Sequence, residues 1–151
     1  MNYFLDSSAL VKLYHPERGS TRVEAAFREP NRRIVISRLT GVELNSALAL
    51  RIRTGRLITD EAILLRTRFL NDVATGAIEV LAITAVHYSL AESLIVQYGG
   101  QIGLRTLDAL QLAVAVETNQ RAGLDAFIVA DLALADVAKR AGLVVINPEV
   151  P

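Results

Sequence analysis

Five short apolar runs punctuate the chain, at 2–5, 33–36, 78–81, 126–129 and 143–146, and between them stand longer stretches with helical periodicity. This alternation constrains the fold more than any other feature. Strands separated by helices pair in parallel, and a parallel sheet needs helices on both of its faces. The expected class is therefore α/β, with a central, mostly parallel sheet. The helical stretches read as 7–14, halted near Pro16, and 20–28, closed by Pro30. Next come 40–53 before Gly55, 59–71 opened by Thr59, and 84–98 ended by Gly99 and Gly100. The strongly apolar 106–118 and then 131–140 complete the set. The segment 98–105, with three glycines, is the one expected loop with slack. No repeat, low-complexity tract or linker divides the chain, so residues 1–151 are expected to form one domain.

Composition narrows the function classes. Hydrophobic residues make up 52% of the 151, enough to build a core. Sixteen basic residues balance sixteen acidic ones. The basic excess of many nucleic-acid binders is missing, although charge can still be segregated on the surface. A near-neutral protein is poorly protected against association, so an oligomer or a bound partner is expected. The absence of cysteine removes disulfides, thiolate nucleophiles and cysteine-ligated zinc, and fits a reducing cytoplasm. The N-terminus has no basic start before its apolar run, and no stretch approaches the ~20 apolar residues of a membrane span. A cytoplasmic protein without a membrane partner is expected.

Ligands of open parallel sheets bind outside the carboxyl ends of the strands. Four acids fall near such positions: Asp6 after the first strand, Glu43 in the first turn of the helix after the second, Asp108 opening the apolar helix, and Asp131 after the fourth strand. Four carboxylates packed together need a cation, because their repulsion would otherwise raise their pKa values. All-oxygen ligands suit Mg²⁺ or Mn²⁺ rather than zinc. Each acid also has an ordinary structural explanation. Thr40 and Glu43 match a capping box, Asp108 favours a helix dipole, and Asp6 and Asp131 are placed to cap helices. Capping alone, however, does not explain why the acids follow strand ends, and it predicts Ser, Thr or Asn as readily as Asp.

Several other residues invite a role. Arg105 and Thr106 stand beside Asp108, where they can touch phosphate or order a carboxylate; a solvated loop charge explains Arg105 equally well. Ser7 is either a partner of the acidic site or a hydroxyl at a helix start. Arg51, Arg53 and Arg56 read as an RNA contact or a solvated helix end. His15 and His87 leave a metal-free His/His nuclease open; the simpler reading is a surface loop residue and a partly buried helix residue.

The ordered motifs resemble the PIN-domain family, and within it the VapC-type toxins of toxin–antitoxin pairs. They are LDSSALVKLY at 5–14, SRLTGVE at 37–43, LRTLDALQLA at 104–113, Val129 to Asp131 with Leu134, and the tail GLVVINP at 142–148. The resemblance implies a three-layer α/β/α sandwich and an acidic quartet of Asp6, Glu43, Asp108 and Asp131. It also implies an RNA substrate, products with 5′-phosphate and 3′-hydroxyl ends, a homodimer, and a small antitoxin covering the site. One position departs from the pattern. Family members often carry Ser or Thr two residues before the last Asp, where this chain has Val129, so a hydroxyl that would orient Asp131 is missing.

The expected activity is Mg²⁺-dependent endoribonuclease, with Mn²⁺ as the alternative ion. Asp6 and Asp108 are expected to hold the metal, with Glu43 and Asp131 completing the site directly or through water. Two other readings stay open. One is a catalytically silent PIN-like binding module. The other is a phosphotransferase using Asp6 as nucleophile, although the haloacid-dehalogenase pattern needs a second acid where this chain has Ser8.

Overall fold

The structure, a computed structural model, describes residues 1–150; the single-domain expectation extends to residue 151, which lies outside the described residues. The strands are β1 (Asn2–Leu5), β2 (Arg33–Ser37), β3 (Glu79–Leu81), β4 (Ala126–Ile128) and β5 (Val145–Ile146). They form one sheet in the order β3-β2-β1-β4-β5, and every pairing is parallel. The helices are α1 (Ser7–Tyr14), α2 (Ser20–Arg28), α3 (Arg38–Arg53), α4 (Thr59–Ala74), α5 (Ala85–Leu94), the short α6 (Gly100–Ile102), α7 (Thr106–Ala122) and α8 (Leu132–Arg140).

The period-two alternation of strand side chains divides the core in two. Tyr3, Leu5, Ile34, Ile36, Ala126 and Ile128 point to one face, where they meet α1 to α4. Phe4, Val35 and Phe127 point to the other, where they meet α5, α7 and α8. The result is the expected three-layer α/β/α sandwich. Phe4 and Phe127 are fully buried on adjacent strands, their ring centroids 5.8 Å apart. Residues Ala109 to Val116 of α7 are all buried, as befits a helix that is apolar on every side. It packs against β2, α3, α5 and α8.

Several element ends differ from expectation. Helix α3 begins at Arg38, capped by Ser37, because β2 runs straight into it without a loop. Thr40 thus lies inside the helix, and the capping box with Glu43 does not form. Helix α4 is capped by Ile58, whose backbone N–H donates to Glu61 at 3.2 Å, so Thr59 is its first helical residue rather than its cap. Gly99 and Gly100 do not end the helix after β3. The chain passes through a π-helical turn at Ile95–Gly99 and α6 before stopping at Gly103, whose φ of 76° is the left-handed conformation that terminates helices. The expected loop at 98–105 shrinks accordingly. Helix α7 runs past Thr118, whose hydroxyl donates to the Val114 carbonyl at 2.7 Å and so costs the helix little. No helix among the described residues is long and apolar enough to cross a membrane.

Phe127 has no room to be replaced by solvent. Phe127→Ala is expected to lower the unfolding free energy by about 3–5 kcal/mol in urea denaturation; a loss near zero would contradict the placement of the core.

Candidate active site

The strand order places a switch point between β1 and β4: the chain builds the sheet outward from β1 to β3, then returns to the opposite side of β1. A crevice opens at the carboxyl ends of the two strands flanking such a point. Asp6 leaves β1 there, its backbone N–H continuing the pairing to the Ile128 carbonyl at 3.0 Å. Its side chain caps α1, accepting from the Ser8 backbone N–H at 2.9 Å and from the Ser8 hydroxyl at 2.6 Å. The same Ser8 oxygen accepts from the Ala130 N–H at 3.0 Å. Ser8 thereby ties the end of β1 to the chain leaving β4. Ser7, the hydroxyl singled out from the sequence, reaches Asp6 through its backbone N–H instead.

Asp131 caps α8, accepting from the Leu134 N–H at 2.9 Å. Val129 is fully buried in the core and offers no hydroxyl to Asp131, whose carboxylate is held by the first turn of its own helix. Asp108 stands in the first turn of α7 and accepts from Arg105 Nε at 2.9 Å. Arg105 also brings Nη2 to within 3.6 Å of Asp131. Asp108 is the main cause of a rise in the Arg105 pKa, with smaller contributions from Asp131 and Glu43.

Glu43, on α3, accepts from Gln111 Nε2 at 2.7 Å. Gln111 is fully buried, and its carbonyl oxygen accepts from the hydroxyls of Ser37 and of Thr40, the latter at 3.0 Å. Gln111 follows Asp108 by three positions, so one helix face carries both a site carboxylate and the amide that holds another. Sequence reading missed Ser8 and Gln111. The signals were there: a hydroxyl two residues after an Asp at a helix start, and one polar residue inside the apolar run of α7.

Thr106, Leu107, Asp108, Glu43 and Arg105 line a cleft of about 330 Å³. Asp6 lies beneath the surface, only 3% exposed. Burial pushes its carboxyl up from the ordinary 3.8 to about 6, aided by the charge of Glu43 and opposed by the hydrogen bonds from Ser8. The acids therefore share one sheet edge, with Glu43 acting on Asp6 and Arg105 linking Asp108 to Asp131. An all-carboxylate donor set is of the kind that suits Mg²⁺ or Mn²⁺, while the raised Asp6 pKa comes chiefly from burial. Among the described residues, no group of three or more acidic or histidine side chains stands close enough to hold an ion in these rotamers.

The remaining candidates lie elsewhere. His87 is buried in α5; its Nδ1 accepts from the Thr84 N–H at 2.9 Å and its Nε2 faces Glu117 at 3.2 Å. His15 follows α1, on the opposite face of the sheet, which separates the two imidazoles. Arg51 pairs with Glu17 at 2.8 Å and is a structural contact.

Because the folded-state pKa of Asp6 exceeds its unfolded value, ionisation of Asp6 weakens the fold. The cost is absent below pH 3.8, grows as pH rises to about 6, and is complete above that. Asp6→Asn is expected to stabilise the protein in EDTA at pH 8 by on the order of 1–3 kcal/mol, with the gain fading towards pH 4. Urea denaturation at the two pH values checks this; a pH-independent effect would contradict it.

No curated protein matches the sequence. Solved structures do match. One is VapBC2 from Rickettsia felis bound to a DNA fragment from its promoter, with 19% identity, a TM-score of 0.65, and coverage of 97% of this chain and 98% of that one. Another is FitAcB from Neisseria gonorrhoeae, with 18% identity, a TM-score of 0.65 and 97% coverage of both chains. A toxin–antitoxin complex from Klebsiella pneumoniae is similar at 18% identity, a TM-score of 0.59 and 97% coverage of both. At such identities the likeness speaks for the fold. The PIN domain family matches residues 3–140, and the chain, with its all-parallel sheet, belongs to the PIN domain family.

Proposed function

We propose that the chain, read as a single PIN domain over 1–151, is a Mg²⁺-dependent endoribonuclease and the toxin of a toxin–antitoxin pair. The observation that carries this reading is the placement of the four acids on elements around the β1/β4 switch point, with Asp6 under the charge of Glu43 and Arg105 reaching both Asp108 and Asp131. Family membership and the similarity to solved toxin–antitoxin complexes support it. Similar complexes also support an antitoxin partner for this chain. A homodimer is supported by apolar side chains left in solvent, such as Val86, Tyr88 and Val96.

A Mg²⁺ or Mn²⁺ ion held by Asp6 and Asp108 would neutralise phosphate charge and acidify the attacking water. The chain's own groups do the rest. Ser8 holds the Asp6 carboxylate in one orientation, and Gln111 does the same for Glu43. Glu43 and Asp131 complete the donor set, one of them orienting the nucleophile. Arg105, 74% exposed at the rim, is free to turn towards an RNA phosphate, and Thr106 is beside it in the same cleft.

The alternative of a silent binding module draws on the ion pairs of Arg105 with Asp108 and Asp131, which already balance charge without a metal. Cleavage assays separate the two. Wild-type protein with Mg²⁺ is expected to cut RNA, leaving 5′-phosphate ends, and EDTA is expected to stop it. Asp108→Asn is expected to lower the rate by about a hundredfold or more. Cleavage that persists in EDTA would overturn the metal mechanism, and no cleavage of total cellular RNA under any divalent ion would favour the silent module.

A further inference from the structure

A second charged cleft lies at the other end of the sheet. It encloses about 440 Å³ and is lined by Leu13, Tyr14, Phe27, Arg32, Arg68 and Asp72, with Glu24 and Arg28 at its side. Arg32 directly precedes β2, and Asp72 stands near the end of α4, before β3, so the cleft sits where strands begin. Helix α1 separates the two sites: Asp6 caps its start and Tyr14 is its last residue, about 12 Å along the axis.

Of the three arginines in the cleft, Arg28 pairs with the carboxylate of Glu24. Arg32 and Arg68 have no carboxylate partner among the described residues. They rest on aromatic rings instead, Arg32 5.0 Å from the centroid of Phe27 and Arg68 5.9 Å from that of Tyr14. Ring contact fixes a guanidinium by its face and leaves its N–H edges for an acceptor. Arg32 Nε is buried with no hydrogen-bond partner, a costly state for a charged donor. The two carboxylates in the cleft do not meet this need. Glu24 accepts from Arg28 at 3.0 Å, and Asp72 accepts from the Tyr14 hydroxyl at 2.8 Å.

We propose that this cleft is a phosphate-binding site, in which Arg32 and Arg68 together grip one phosphate oxyanion. Arg28 and Glu24 cancel, so the cleft sets Arg32 and Arg68 against the one carboxylate of Asp72, a positive excess that suits an anion, and the planar guanidinium edges match the oxygens of a phosphoryl group. The ligand is free inorganic phosphate or the 5′-phosphate of a mononucleotide; the cleft volume admits either. The site does not depend on the acidic cluster, so it stands or falls separately from the nuclease reading.

The test is titration of the full chain with phosphate at constant ionic strength, followed by thermal melting and by calorimetry, with chloride as comparator. Wild type is expected to show saturable binding and a melting temperature that rises with phosphate concentration. Arg32→Gln combined with Arg68→Gln is expected to weaken binding by about a hundredfold. Arg53→Gln, an exposed charge on α3 outside the cleft, is expected to leave it unchanged. Arg32→Lys alone, which keeps the charge but loses the planar fork, is expected to weaken binding with the fold intact by circular dichroism. Adenosine 5′-monophosphate distinguishes the sources: equal affinity points to free phosphate, and markedly tighter binding to a nucleotide. A response that does not saturate, that chloride reproduces, or that survives in the double variant would overturn the proposal.

Discussion

The burial of the Asp6 carboxylate at the end of β1 is the constraint around which the rest of the site is arranged. Asp6 is almost entirely buried, and its carboxyl is pushed up to about 6 by that burial. A buried acid of this kind is tolerated only where neighbours satisfy it. Here the Ser8 hydroxyl and N–H accept that task, and Ser8 is itself anchored to the chain leaving β4. The parallel pairing of β1 and β4 thus fixes the geometry of Asp6 as well as the sheet.

The same economy appears on the other side of the cleft. Gln111 is a polar residue in the interior of an apolar helix, and every polar atom of its amide is engaged by Ser37, Thr40 or Glu43. A network so satisfied rigidifies what it touches. It joins the end of β2, the start of α3 and the middle of α7, which are the elements that present Glu43 and Asp108. Arg105 adds an exposed counterpart: it pairs with two acids at once from the rim, outside the core.

The fold was legible because strand runs and helical periods alternate along the chain, and because the central strands are apolar on both faces. The four acids were legible because a sheet of this kind binds ligands at strand ends. What the sequence hid was the bonding between elements. Thr40 and Glu43 carry the pattern of a capping box, yet β2 runs directly into α3, and the true cap falls three residues earlier, at Ser37. Gly99 and Gly100 read as a helix end, yet only Gly103 takes the left-handed conformation. Ser8 and Gln111 matter through partners over seventy residues away, at Ala130 and Ser37, which no local spacing reveals.

The proposed activity requires Asp6, Glu43, Asp108 and Asp131 to form one divalent-cation site. Calorimetric titration of Mg²⁺ into the protein near pH 6 tests it most directly. Saturable binding accompanied by proton release from Asp6, and abolished by Asp6→Asn, is the predicted result. Absence of saturable binding, or binding that the substitution leaves unchanged, would contradict it.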